Sequence, residues 1–171
     1  LDSTYNLTVS TACGDTILCA AENIIVGMRH TLPLCENFDN TDRLHPYGWE
    51  VASRCGAVYP RIENGRYHMQ PKPTSADGGD MVLLPKLPLG HTLGGLHLKL
   101  SVDMGANADL DYAYLEIGYP VGSDMTVLAE LHNTTRSQTH HLTLPPCSAD
   151  QLVIRARSLY GTRNIYLDNL Q

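Results

Sequence analysis

Hydrophobic and polar residues alternate with a period of two along most of this chain. Between residues 95 and 104, leucine, valine and methionine at even positions alternate with histidine, lysine, serine and aspartate at odd positions. Successive side chains of a strand point to opposite faces, so the alternation predicts a strand with one buried face. Further strands are predicted at 49–53, 66–70, 81–84, 115–119, 125–131, 140–144, 152–157 and 164–170.

Turn-forming residues separate these segments. Examples are Glu63-Asn64-Gly65, Ala76-Asp77-Gly78-Gly79, Gly105-Ala106-Asn107 and Val121-Gly122-Ser123-Asp124. From residue 31 onward no apolar stripe of helical period and length is present, which argues against a parallel sheet with crossover helices. The pattern predicts an all-β fold, a two-sheet antiparallel jelly-roll sandwich, over residues 31–171.

Residues 1–30 follow a different pattern. Tyr5, Leu7 and Val9 alternate, Cys13-Gly14-Asp15 is typical of a hairpin turn, and residues 17–28 fit either a strand or a short helix. We interpret this segment as a partial hairpin that ends an upstream module. Two strands alone bury too little surface to be stable, so we expect it to pack on another unit.

The charge and composition of the chain limit the classes of partner that it is expected to bind. The 171 residues include 18 acidic and 12 basic residues, a formal charge of -6, which disfavours nucleic acid and anionic lipid as partners. No apolar stretch long enough to span a membrane is present, so we expect no membrane insertion by this region. Because the chain starts at Leu1 without a leader, we expect that any targeting segment has been removed.

Five cysteines leave the redox state open. Two disulfides among Cys13, Cys19, Cys35, Cys55 and Cys147 allow fifteen pairings, and five buried thiols are an equal alternative. No spacing typical of a zinc site is present.

Signatures of catalysis are missing. The sequence has no G-x-S-x-G, H-E-x-x-H or phosphate-binding glycine loop, and we predict that the protein is not an enzyme. Carboxylates such as Asp103, Glu116 and Glu130 are available for a glycosidase pair, but 18 acidic residues offer such pairs by chance. His140 and His141 adjoin on a predicted strand and point to opposite faces, which argues against a shared metal.

The polar faces of the strands are the predicted binding surface. Residues two apart on a strand share a face and form short polar or aromatic ladders, which together would line one concave sheet. The ladder residues are His97, Lys99, Tyr112, Tyr114, Glu116, Arg155 and Arg157. Tyrosine offers a stacking surface for a sugar ring, and the charged groups offer hydrogen bonds to hydroxyls. The alternative is a set of ordinary solvent-facing pairs. Trp49 is expected in the core.

Four short motifs carry a resemblance to a known family. Glu36-Asn37-Phe38-Asp39, Gly48-Trp49, Leu83-Leu84-Pro85 and Ile165-Tyr166-Leu167-Asp168-Asn169 follow the order seen in jelly-roll modules of bacterial surface proteins. Residues 33–171 thus resemble the MAM-like, cleaved-adhesin type of domain of Bacteroidetes surface proteins. The segment from Tyr5 to Asp15 is similar to the closing hairpin of a fibronectin type III module.

The resemblance implies a structural calcium ion that ties the terminal strands together. Its ligands would be Glu36 and Asp168, with Asp39 or Asn169 as helpers, and hard oxygen ligands suit Ca²⁺. It also implies a non-catalytic extracellular or cell-surface adhesion or carbohydrate-binding module of a larger protein. Its partners would be a glycan or a host or cell-surface protein, together with neighbouring domains of the same chain. The alternative is a structural or protein-interaction spacer without a small-molecule ligand.

Overall fold

The computed structural model describes residues 9–10, 16–17, 34–39, 42–53, 58–73, 79–105 and 112–171. The described residues form strands and contain no helix that is long and apolar enough to cross a membrane. The strands are β1 (Val9–Ser10), β2 (Thr16–Ile17), β3 (Glu50–Ser53), β4 (Arg61–Glu63), β5 (Arg66–Met69), β6 (Asp80–Leu83), β7 (His97–Asp103), β8 (Ala113–Val121), β9 (Asp124–Leu131), β10 (Ser137–Thr143), β11 (Val153–Ser158) and β12 (Ile165–Asp168).

Ten of these strands form two antiparallel sheets of five. The first sheet has the order β10-β7-β12-β5-β4 and the second sheet the order β3-β6-β11-β8-β9. Sequence neighbours often lie in opposite sheets, as β6 and β7 or β11 and β12 do. This arrangement confirms the predicted all-β, two-sheet antiparallel sandwich.

The predicted alternation places the core between the sheets. In β7, Leu98, Leu100 and Val102 are buried, and in β8, Leu115 and Ile117 are fully buried. These side chains belong to one apolar cluster shared by both sheets. Trp49 is buried in the same cluster, as predicted.

Local turn chemistry explains a hairpin that the strand prediction left incomplete. Asn64 and Gly65 both adopt positive φ, 52° and 72°, which is the backbone of a tight turn between antiparallel strands. The turn was predicted, but its first strand, Arg61–Glu63, was not. Three residues with one apolar member, Ile62, are too few to display a period.

The amino-terminal segment contributes a short two-stranded sheet. Val9 pairs with Ile17 and Ser10 with Thr16, in antiparallel register. The predicted turn at Cys13-Gly14-Asp15, the segment 18–28 and the turn core at 76–78 lie outside the described residues. The origin of residues 1–30 in a fibronectin type III-like module stays a prediction.

Cysteine pairing also stays a prediction. Cys35 and Cys147 are half-buried, and Cys13, Cys19 and Cys55 lie outside the described residues.

Candidate functional site

The predicted ladders do not share one sheet. His97 and Lys99 lie in β7 of the first sheet, opposite Thr143 and His141 of β10. The remaining ladder residues belong to the second sheet, in β11 and in or next to β8: Tyr112, Tyr114, Glu116, Arg155 and Arg157. The expectation of one concave binding sheet was therefore wrong. Alternation along a strand identifies its polar face, but long-range pairing decides which sheet the strand joins.

Arg155 and Glu116 form a buried ion pair on the outer face of the second sheet. Arg155 pairs with Glu116 across β11 and β8, and its Nε donates to Glu116 Oε2 at 2.5 Å. The two residues are only 9% and 6% exposed. Arg155 also donates through a terminal nitrogen to Asp124 Oδ1 at 2.6 Å, and Arg157 Nε lies 3.8 Å from Glu116 Oε2.

These contacts favour the charged forms of Arg155 and Asp124. Burial by itself lowers the pKa of Arg155, but the hydrogen bond and charge of Glu116, with those of Asp124, raise it above its ordinary value. The pKa of Asp124 is lowered by the backbone N–H of Met125 and then by Arg155. The charges and hydrogen bonds of Arg155 and Glu116 are satisfied within the protein. We therefore interpret these two residues as stabilising this face.

Aromatic side chains gather at the end of the second sheet where β8 begins and β11 ends. Tyr112 and Tyr160, 38% and 62% exposed, meet edge to face with centroids 4.8 Å apart. Tyr114 stacks on His132, with centroids 5.1 Å apart and planes 19° apart, and pairs across strands with Arg157. We call these five residues, Tyr112, Tyr114, His132, Arg157 and Tyr160, the tyrosine surface.

Three of these residues were predicted and two were missed. Tyr112, Tyr114 and Arg157 belong to the predicted ladders, whereas Tyr160 and His132 were not among the predicted binding residues. Tyr160 lies just after β11, where the Leu159 N–H donates to the carbonyl of Tyr112 at 2.7 Å. That bond brings the residues that follow β11 beside the start of β8. No local sequence pattern reveals this proximity.

The outer face of the first sheet is a set of hydrogen-bonded pairs between strands. Ser101 Oγ and Thr139 Oγ1 are 2.9 Å apart, and His97 Nδ1 lies 2.9 Å from Thr143 Oγ1. These pairs match the alternative interpretation of ordinary solvent-facing cross-strand contacts.

A second aromatic group on this face was not predicted. The guanidinium of Arg66 lies 4.2 Å from the ring centroid of Tyr166, and His68 stacks on the same tyrosine with centroids 4.6 Å apart. Arg66 also donates to Asp103 Oδ2 at 3.0 Å. Because both neighbours of Tyr166 are protein side chains, its ring is largely covered and offers little stacking surface.

The first and the last segment of the sandwich lie side by side, as the terminal motifs led us to expect. Glu36 and Leu170 form an antiparallel bridge, with N–H to carbonyl distances of 2.8 and 2.9 Å. Two residues on, Phe38 is fully buried with a positive φ of 57°, a conformation that non-glycine residues rarely adopt. Its ring contacts Trp49 and Tyr67 at 5.6 and 5.7 Å, which fixes the strained backbone in place.

The predicted calcium ligands belong to the segments that meet at this junction. Glu36 Oε1 accepts a hydrogen bond from the backbone N–H of Phe38 at 2.8 Å. Burial raises the pKa of Asp168, and repulsion from Asp39 raises it further, so these two carboxylates act on each other. Within the described ranges, no group of three histidine, cysteine, aspartate or glutamate side chains is placed to hold a metal ion. Calcium binding by Glu36, Asp39 and Asp168 stays a prediction.

The available donors suit a hard cation to a limited extent. Asp39 and Asp168 supply carboxylate oxygens, and Asn37 bonds Asp39 Oδ2 through its side-chain nitrogen at 2.7 Å. Oxygen ligands are those that Ca²⁺ prefers, but it takes six to eight of them. Backbone carbonyls and water would have to complete the shell around two carboxylates.

The fold of this chain, with its two sheets and meeting chain ends, is similar to that of cleaved adhesin domains. The K3 cleaved adhesin domain of Lys-gingipain from Porphyromonas gingivalis aligns with a TM-score of 0.54 and 13% identity, over 80% of this chain and 94% of that domain. The K1 cleaved adhesin domain of the same protein aligns with a TM-score of 0.52 and 16% identity, over 80% and 95%. At this identity the likeness concerns the fold, and it confirms the type of fold predicted from the four motifs.

Sequence comparisons add nothing to this result. Neither the protein-family models nor the curated protein sequences give a match to the chain.

Proposed function

We propose that this chain is a non-catalytic, extracellular adhesion module that binds carbohydrate through the tyrosine surface. The observation that carries the proposal is the group of exposed and stacked aromatic rings at the end of the second sheet, on a fold similar to cleaved adhesin domains. No catalytic step is assigned to any residue. The extracellular location is inferred from the same likeness and is part of the proposal.

The chemistry of the tyrosine surface suits a sugar. Tyr160 and Tyr112 present exposed ring faces, on which the apolar C–H face of a pyranose can stack. His132, whose side chain is 53% exposed, stacks on Tyr114 and offers hydrogen bonds to hydroxyl groups, and Arg157 pairs with Tyr114 across the strands. Arg155 and Glu116 hold β11 and β8 in register beneath them, so the site is largely formed before a ligand arrives.

A glycan array followed by affinity electrophoresis on retained polysaccharides tests this proposal. Tyr160→Ala should weaken retention at least tenfold, since it removes the most exposed ring of the surface. The matched control is Tyr47→Ala, which removes an exposed tyrosine from a different part of the chain. The control should bind as the unchanged protein does.

Two outcomes would contradict carbohydrate binding at this surface. One is the absence of retention across a broad panel of glycans, which favours the alternative of a spacer or protein-interaction module. The other is equal loss of retention in Tyr160→Ala and Tyr47→Ala. Turnover of a glycan that vanishes on loss of one carboxylate would contradict the non-catalytic assignment.

We also propose that calcium stabilises the junction of the chain ends, with Asp39 and Asp168 as its side-chain ligands. The mutual repulsion of these carboxylates supports the proposal, because a divalent cation between them would remove it. In this proposal Glu36 Oε1 orders the backbone at Phe38 beside the ion.

Thermal unfolding with chelator and with added calcium tests the calcium proposal. A ligand that binds only the folded state raises the melting temperature by mass action. EDTA should lower the melting temperature, calcium should restore it, and Asp168→Ala should not respond to either. Glu50→Gln removes a carboxylate on the second sheet and should keep the full calcium response. Equal melting of the unchanged protein under both conditions would contradict this proposal.

A further inference from the structure

A large apolar cavity opens between the two sheets near the junction of the chain ends. Its volume is about 340 Å³, and nine of its twelve lining residues are leucines. Leu84 and Leu152 come from the second-sheet side, and Leu98 and Leu144 from the first-sheet side. We call it the leucine cavity.

The leucine cavity is larger than the voids usual in a packed core. Protein interiors contain few spaces larger than a water molecule, because side chains interdigitate. Apolar cavities of less than half this size remain dry and accept small apolar molecules. A leucine-lined space of this volume is within the range of small-molecule binding sites.

The leucine cavity opens beside a polar depression that carries positive charge on the outer face of β7. His97, Leu98 and Gln171 also line a second, shallower depression, whose other lining residues include Lys99 and His141. No carboxylate side chain lines either space. Lys99 Nζ donates to the amide oxygen of Gln171 at 3.5 Å, and no described carboxylate lies within 4.0 Å of it.

We propose that the leucine cavity binds a medium-chain fatty acid. The alkyl chain would lie among the leucines, and the carboxylate would leave the cavity past His97 and Gln171, which line both spaces, to meet Lys99 in the depression. At roughly 30 Å³ for each water-sized group, 340 Å³ holds about ten methylene groups. The proposal goes beyond adhesion and does not depend on the tyrosine surface, which lies on the other sheet.

Titration calorimetry of the 171-residue chain with decanoate tests this inference, with 1-decanol as the uncharged comparison. The unchanged protein should bind one decanoate in a saturable manner. Lys99→Met should weaken decanoate at least fivefold and leave 1-decanol unchanged. Leu144→Phe, which puts a larger ring into the space, should weaken both ligands at least tenfold. Val127→Phe, an exposed position on the second sheet, should bind both as the unchanged protein does.

Leu96→Trp provides a second cavity-filling variant at a half-buried position, in case Leu144→Phe does not fold as judged by circular dichroism. Two results would overturn the inference: no saturable decanoate binding, or equal decanoate affinity in the unchanged and the cavity-filled proteins. A Lys99→Met variant with unchanged decanoate affinity would overturn the carboxylate assignment. Sedimentation that shows a dimer dispersed by the cavity-filling variants, without decanoate binding, would assign the cavity to a second copy of the chain instead.

Discussion

The outer faces of the two sheets show how one sequence pattern produces two different surfaces. On the first sheet, the odd positions of β7 carry partly or fully exposed polar side chains, of which His97 and Ser101 bond to β10. On the second sheet, the corresponding positions of β11 are Val153, Arg155 and Arg157, of which the first two are buried. A small apolar cluster of Met81, Met125 and Val153 also lies on this outer face.

The comparison shows that the polar residues of an alternating strand do not always form a face exposed to solvent. The polar side chains between β7 and β10 of the first sheet are partly or fully exposed to solvent, so each cross-strand pair contributes little. In the second sheet Arg155 is removed from water and relies on Glu116 and Asp124 for its charge and hydrogen bonds. Buried charges depend on their partners, whereas exposed ones do not.

The largest expected effect compares the two arginines. Arg155→Met leaves Glu116 buried without its main partner and should lower the free energy of unfolding by about 3 to 5 kcal/mol. Arg66→Met on the first sheet removes a partly exposed pair with Asp103 and the contact with the Tyr166 ring, and should cost about 1 to 2 kcal/mol. Urea unfolding of both variants measures the difference. Losses that agree within 1 kcal/mol would abolish the distinction between the faces.

The next effect concerns ligand binding by the two faces. Loss of the stack through Tyr114→Ala should weaken retention on the preferred glycan by about five- to tenfold, equivalent to about 1 kcal/mol. His97→Ala on the first sheet should leave retention unchanged, because its ring bonds Thr143 and lies away from the tyrosine surface. Affinity electrophoresis of both variants on one gel makes the comparison. A larger loss for His97→Ala would move the site to the first sheet.

A smaller effect depends on pH at the junction of the chain ends. Burial and then Asp39 raise the pKa of Asp168, so its folded form holds a proton more tightly than the unfolded chain does. In the presence of chelator, the stabilisation that comes from protonated Asp168 is fully present below the ordinary aspartate pKa of about 3.9. It is lost as the pH rises through the pKa of Asp168 in the folded protein. Asp168→Asn should remove this dependence and gain no more than about 1 kcal/mol at neutral pH, after discounting for solvent screening.

Thermal melts in EDTA from pH 3 to 7 check this expectation. Glu50→Gln, on the second sheet, should retain the pH dependence of the unchanged protein. An Asp168→Asn variant that loses stability at neutral pH in EDTA would reverse the sign of the argument.

The smallest expected effect belongs to the exposed hydroxyl pair of the first sheet. Ser101→Ala breaks the contact with Thr139 and should change the free energy of unfolding by about 0.5 kcal/mol or less. Chemical unfolding beside the Arg155→Met variant measures it. A loss above 2 kcal/mol would mean that this face also depends on its polar contacts.

Much of the fold could be predicted, because its elements depend on local chemistry. The strand of β7 follows from an unbroken apolar and polar alternation, and the turn at Asn64-Gly65 follows from residues that tolerate positive φ. The meeting of Glu36 and Leu170 was expected from the terminal motifs. The short strand β4 escaped prediction because three residues carry no usable period.

The candidate site was less predictable, because it depends on contacts distant in sequence. Tyr160 reaches Tyr112 from 48 positions away, and Arg155 reaches Glu116 across 39. A polar residue at an outward position has the same sequence signature whether it is exposed like His97 or buried like Glu116. Its burial is set by neighbouring strands and by the segments that pack over them.

The sequence by itself determined the strands, the face of each strand that is buried, and the tight turns. Each of these features depends on residues within a few positions of one another. Only the tertiary structure decided which sheet each strand joined, which charges were removed from water, and where the sheets left the leucine cavity between them. The physical reason is that hydrogen bonding between strands is nearly independent of side-chain identity. The choice of partner therefore rests on packing summed over the whole core, which no local pattern contains.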